Sequence, residues 1–150
     1  MRHLLIAIPL LLLAALPGLS LGAKPPTKDL VVIVNPASGV TALQPGDVVN
    51  IFMGRYRKLP SGIVAFPIDI GERSPEREQF YRQLVHKSLA EVDAYWARLV
   101  FSGQTSPPLQ VPDGKTAVQL VAGNRAAIAY VDRSVVDERV KVVLELESAP

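Results

Sequence analysis

Ile68-Asp69-Ile70-Gly71-Glu72-Arg73-Ser74-Pro75-Glu76-Arg77-Glu78-Gln79-Phe80 reads as a strand that passes through a tight turn into the first turn of a helix. Ser74 is a favoured N-cap, Pro75 suits the first helical position, and Glu76 complements the positive end of the helix dipole. A junction of this kind belongs to α/β architecture and points free backbone N–H groups outward, where a small anion can sit. The same residues also fit a plainer role, in which Ser74 and Glu76 satisfy the helix end themselves.

Upstream of the junction, Leu30-Val31-Val32-Ile33-Val34 is a short apolar run, β-branched in four of five positions and ended by Asn35-Pro36. That pattern predicts a strand buried on both faces, with the loop Asn35-Pro36-Ala37-Ser38-Gly39 at its carboxyl end, where ligands collect in open α/β sheets. Val48, Val49, Ile51 and Phe52 share one face of a helix predicted over residues 45–53, with Gly54 as its stop. Arg55-Tyr56-Arg57-Lys58 reads as an exposed basic turn, and residues 63–70 as a second strand. Pro67 lacks a ladder donor and so marks that strand as an edge or a bulge.

Downstream, Phe80, Tyr81, Leu84 and Val85 follow core spacing to a helix end near His86-Lys87. Ser88-Leu89-Ala90-Glu91 matches a capping box, with Leu89, Val92, Tyr95, Trp96, Leu99 and Val100 as the apolar stripe behind it. Trp96 lies within that stripe and is expected to pack in the core. Residues 105–112, with three prolines, read as an extended crossing segment. Asp113 caps a third helix that turns Ala117, Leu120 and Val121 inward. Residues 126–131 form a compact strand. Val140, Val142, Leu144 and Leu146 alternate along a final strand that is half solvated and at an edge.

Composition bounds the function classes. The chain has 150 residues, 49% hydrophobic, with 16 basic against 14 acidic residues, which suits one globular domain and excludes a nucleic-acid-binding charge pattern. Residues 1–23 carry a short positive start, an apolar run over residues 4–16 and a small-residue end, the pattern of a cleavable secretory signal peptide. Pro9 and Pro17-Gly18 interrupt it too soon for a permanent membrane anchor, which needs ~20 apolar residues. A polar leader follows over residues 24–29, and the domain over residues 30–147. Absence of cysteine excludes disulfides, thiolate metal sites and a lipid-modified cysteine, so an exported domain must rely on its core. The compartment expected is the periplasm.

No glycine-rich phosphate loop, internal repeat or paired histidines occur, and His86 sits at a helix end beside Lys87, where it suits the dipole. Asp69 and Glu72 read as surface acids. Neither an enzyme nor a cofactor or metal site is expected.

Val31-Val32-Ile33-Val34-Asn35-Pro36, Asp47-Val48-Val49-Asn50-Ile51-Phe52-Met53-Gly54-Arg55, the strand leading to Ser74 and Phe80, and Ala127-Ile128-Ala129-Tyr130-Val131 follow one another in this order. In that order the chain resembles the second lobe of the phosphate-binding proteins of ABC transporters, over most of residues 30–143. The resemblance implies a single three-layer α/β sandwich lobe, like one domain of a type II periplasmic binding protein, and an anion held between two lobes. The family pattern has an arginine near the end of the second strand and a Ser-Gly-Thr cluster at the next helix start. Here Ser74 matches the serine, Pro75 and Glu76 stand for glycine and threonine, and Asp69 lies about where the arginine is expected, with Arg73 displaced toward the helix.

Ser38, Arg73 and Ser74 are the candidate ligand-binding residues for phosphate or another small oxyanion. The expected function is an exported, weakly binding module linked to an envelope transporter, porin or sensor. The other reading is a protein-interaction scaffold derived from a binding-protein lobe, with Ser38-Gly39 and the basic turn 55–58 touching the partner. A lobe without its mate also has a face for pairing as a homodimer.

Overall fold

A computed structural model of the chain describes residues 27–147. The expected signal peptide over residues 1–23 and the first half of the leader lie outside the described residues. Five strands and four helices follow in the order β1 (Leu30–Val34), α1 (Pro45–Phe52), β2 (Phe66–Ile70), α2 (Pro75–Val85), α3 (Leu89–Phe101), β3 (Leu109–Val111), α4 (Gly114–Gly123), β4 (Ala127–Asp132) and β5 (Lys141–Glu145). Short 3-10 turns at Pro36–Ser38 and Arg133–Val135 follow β1 and β4.

The strands form one mixed sheet in the order β3-β2-β4-β1-β5. β2 runs parallel to both β3 and β4, whereas β1 is antiparallel to both β4 and β5. Every residue of β1 is buried, as its unbroken apolar run requires when both faces of the sheet are covered. Tyr130 and Val131 of β4 point to opposite faces. Phe52 of α1 and Phe80 of α2 meet the Tyr130 ring at 5.7 and 3.9 Å, while the start of α4 at Gly114 lies against Val131. Helices therefore cover both faces, which gives the three layers expected.

Caps stop and start the helices where the sequence places them. Ser74 Oγ accepts from Arg77 N–H, Ser88 and Glu91 close a reciprocal capping box, and Asp113 accepts from Thr116 N–H. His86 ends α2 in the left-handed region at φ 56°.

Several expectations change in detail. Pro67 lies in an interior strand, because β2 has β4 on one side and β3 on the other. Phe66 N–H donates toward β4, so the donor that proline lacks would point the other way. There β3 begins only opposite Ile68, which leaves that side of Pro67 unpaired. The crossing segment over residues 105–112 contains β3, an edge strand of three residues. On α3, Val92 and Trp96 are buried but Val100 is exposed, because the helix lies at the sheet's margin. On α4, Val118 takes the inward place expected for Leu120, which is partly exposed. β5 is the other edge, but its alternation breaks at Val143. Val32 pairs with Leu144 and Ile33 with Val142, so Val143 is an extra residue in a bulge and is buried.

Gly54 ends α1 at φ 68°, and a Cβ there would lie 2.8 Å from Trp96 Cη2. Arg57, placed in an exposed turn by sequence, instead lays its guanidinium over the Trp96 ring at 5.8 Å and donates to the Ser106 carbonyl. Gly54→Ala meets both a left-handed backbone and an occupied space, so a loss of about 1–3 kcal/mol is expected. Urea unfolding measures it, and an unchanged midpoint would contradict the Trp96 packing.

Candidate functional site

Because β2, β3 and β4 are parallel, their carboxyl ends share one edge of the sheet. α2 starts after β2, α4 after β3, and the 3-10 turn Arg133–Val135 after β4. That edge is where ligands bind in open α/β sheets. A cleft of about 320 Å³ opens there, lined by Lys28, Glu76, Asp113, Gly114, Lys115, Asp132, Ser134 and Val135. Three carboxylates and two ammonium groups face it. Hydrogen bonds from Ser134, and then the charge of Lys28, hold the Asp132 carboxyl below the usual range. Those from Thr116 do the same for Asp113.

Beneath the start of α2 lies a buried ion pair. Asp69, the fourth residue of β2, is 1% exposed and Arg77 is 2% exposed. Arg77 Nε donates to Asp69 Oδ2 at 2.9 Å, Nη1 to the Glu72 carbonyl at 2.8 Å, and Nη2 to Asp93 Oδ1 at 2.9 Å. Tyr81 Oη donates to Asp69 Oδ2 at 3.2 Å, and Tyr130 Oη to Asp69 Oδ1. Ile70 N–H donates in turn to Tyr130 Oη. Burial pushes the Asp69 carboxyl up, opposed by the hydroxyl of Tyr130 and the charge of Arg77. Burial alone would lower Arg77, but the Asp69 charge and its hydrogen bond hold it above its ordinary value. Burial and the Asp69 charge raise both tyrosines, so they remain donors. Since Asp69 binds its proton more tightly in the fold, its contribution to stability is greatest in acid and falls as pH rises through the raised value. Acid unfolding is therefore expected to follow the depressed caps, such as Asp132, and not Asp69.

At the helix start itself few donors remain. Pro75 has no N–H, Arg77 N–H goes to Ser74 Oγ at 3.1 Å, and Glu78 N–H closes on the Ser74 carbonyl at 3.1 Å. Only Glu76 keeps a first-turn N–H without a hydrogen-bond partner among the described residues. Glu76 and Glu78 place acidic charge in the same turn.

Of the residues predicted from sequence, Arg73 and Ser74 sit together at this edge, Arg73 exposed and Ser74 half-buried. Ser38 does not join them. β1 is antiparallel to β4, so the loop after it lies at the opposite end of the sheet, where Ser38 is buried and its hydroxyl accepts from Val40 N–H. Asn35 in the same loop donates to the carbonyls of Val121 and Ala122 and so closes the end of α4. Asp69, expected at the surface, is a core residue. The sequence reading missed Asp69 and Arg77 as a pair, and Lys28, Asp113, Lys115 and Asp132 as the cleft. One signal was available: Arg77 lies three, four and seven residues before Phe80, Tyr81 and Leu84, on the core face of α2. Among the described residues no group of acidic or histidine side chains is arranged to hold a metal, and no helix is long and apolar enough to cross a membrane.

No known protein family and no curated protein matches the sequence. Solved structures do match the fold. An ABC-type phosphate transport receptor from Vibrio cholerae superposes with a TM-score of 0.62 at 18% identity, over 77% of this chain and 45% of the receptor. A protein assigned as a phosphate ABC transporter substrate-binding protein, from Clostridium perfringens with phosphate bound, gives 0.60 at 21% identity over 77% and 44%. PstS from Borrelia burgdorferi gives 0.60 at 11% identity over 77% and 46%. The chain spans less than half the length of each. It has the α/β fold of about half of a phosphate-receptor-type binding protein.

Proposed function

We propose that this chain is an exported, periplasmic single-lobe binding module, not an enzyme. In this reading it meets phosphate or a related small oxyanion weakly at the start of α2, through Arg73, Ser74 and the Glu76 N–H. Its place is beside an envelope transporter, porin or sensor. The observation that carries the reading is the state of Arg77: the one buried cation among the described residues already has all three guanidinium nitrogens engaged by Asp69, Glu72 and Asp93.

Magnitudes set the affinity. A helix N-terminus gives ~0.3–1 kcal/mol and one charge-assisted hydrogen bond ~1.5–3 kcal/mol. Their sum is at most about 4 kcal/mol, which corresponds to ~1 mM, whereas micromolar capture needs about 8 kcal/mol. Calorimetric titration of the mature domain with phosphate tests this: no strong binding isotherm is expected. Sub-micromolar affinity abolished by Arg73→Ala and Ser74→Ala would overturn weak binding.

A second reading, a protein-recognition surface, is favoured by the margin of α3, where Phe101 is 96% and Val100 54% exposed beside an open apolar groove with Pro107 and Gln110. Here partner binding persists without phosphate and is lost in Phe101→Ser.

A further inference from the structure

We infer that residues 27–29 form a strap whose lysine sets the charge of the cleft between the starts of α2 and α4. This rests on the reading of that edge as the anion-facing side of the lobe.

The strap is held by three hydrogen bonds to its backbone and one ion pair. The Lys28 N–H donates to Gln79 Oε1 at 2.8 Å and Gln79 Nε2 returns to the Lys28 carbonyl at 2.6 Å, so one side chain of α2 pairs with both backbone groups of the strap. One residue on, the Asp29 carbonyl accepts from Arg133 N–H at 2.8 Å, and the Asp29 carboxylate lies 3.4 Å from Arg133 Nε. Between these anchors Lys28 Nζ reaches into the cleft, 3.7 Å from Glu76 Oε1 and 3.6 Å from Asp132 Oδ2. The strap therefore joins the chain's entry into the lobe to α2 on one side and to the end of β4 on the other.

The charge count gives the consequence. Glu76, Asp113 and Asp132 face Lys28 and Lys115 across the cleft, a net charge of −1 with the strap docked and −2 once Lys28 leaves. The Glu76 N–H, without a partner among the described residues, lies on the residue whose carboxylate Lys28 masks. A docked strap thus lessens the repulsion this edge exerts on an anion, and an undocked strap increases it. Any factor that pulls the leader from α2 changes the charge of the cleft by removing one lining residue, Lys28.

NMR on the mature domain tests this in wild type, Lys28→Ala, Lys28→Arg and Gln79→Ala. The Asp132 carboxyl, which Lys28 Nζ faces at 3.6 Å, is expected to titrate at higher pH in Lys28→Ala than in wild type, with Lys28→Arg restoring the wild-type curve. The Lys28 amide should exchange at least about tenfold faster in Gln79→Ala, since its one partner is gone. With inorganic phosphate as the probe, the midpoint should rise about threefold in Lys28→Ala, the scale of a surface ion pair. An unchanged Asp132 titration in Lys28→Ala, or unchanged exchange in Gln79→Ala, would overturn the strap. If Lys28→Ala and Gln79→Ala show both strap signatures while phosphate shifts no resonance of the wild type, the strap stands and the anion reading falls.

Discussion

Arg77→Ala is expected to lower the unfolding free energy by about 3–5 kcal/mol, because it leaves the Asp69 carboxylate buried without its cation. Asp69 is held in the sheet by β2 and cannot turn to water, and the two tyrosine hydroxyls that remain are neutral donors. Asp93, by contrast, is 61% exposed in its side chain and loses little. Small domains have ~5–15 kcal/mol in total, so the loss is a large share of the stability. Lysine should not restore it, since one ammonium cannot serve Asp69, the Glu72 carbonyl and Asp93 from the directions a planar guanidinium does. Combining Asp69→Asn with Arg77→Met should cost less than the single changes added together, because the unpaired charge is gone. Urea unfolding of the four proteins measures the cycle. A loss below about 1 kcal/mol for Arg77→Ala, the value of a surface pair, would show that the pair is not buried as described.

The second large effect is expected at Phe80. Its ring stacks on Tyr130 with centroids 3.9 Å apart and meets Phe52 edge-on at 4.8 Å and Tyr81 at 5.2 Å. Phe80→Ala should cost about 3–5 kcal/mol, from lost apolar burial together with the cavity left between α2 and the sheet. Phe80→Leu keeps much of the volume and should cost less, with the aromatic pairing itself contributing ~0.5–1.5 kcal/mol per pair. Because Tyr130 both stacks on Phe80 and donates to Asp69, Phe80→Ala and Arg77→Ala should not add independently. Thermal unfolding of the single and double variants tests this, and simple additivity would contradict a shared network through Tyr130.

Much of the fold was legible because local rules and burial agree. The apolar run of β1, the Ser74 cap with Pro75, the Ser88–Glu91 capping box and the Asp113 cap each mark an element by a short-range cause, and each appears where predicted. What stayed hidden depends on strand direction and on partners distant in sequence. Ser38 read as a ligand residue because a loop after a buried strand lies at the ligand edge only when that strand runs with its neighbours. β1 runs against β4, and nothing within residues 30–39 reveals that. Pro67 is tolerated inside the sheet because β3 is short, a fact held by residues 109–111 and not by β2. Asp69 looked like a surface acid because its cation arrives from the next helix and its two hydroxyl donors from residues 81 and 130. Val143 escaped the alternation pattern because a bulge inserts one residue without any sequence mark of its own.

The same distinction separates scaffold from site. The fold is that of about half of a phosphate receptor, while the groups at the carboxyl edge of β2, β3 and β4 satisfy one another: Arg77 is taken by carboxylates, Ser74 caps its own helix, and Lys28 lies between Glu76 and Asp132. On the proposed reading, an edge whose groups already pair with one another has little left for a free anion.

The most direct measurement is the Nε–H resonance of Arg77 in nitrogen-labelled protein during a phosphate titration. With the guanidinium committed to Asp69, Glu72 and Asp93, that signal should stay fixed up to about 10 mM phosphate while the Glu76 amide shifts in the millimolar range. An Arg77 signal that moves and saturates at micromolar phosphate would contradict the account.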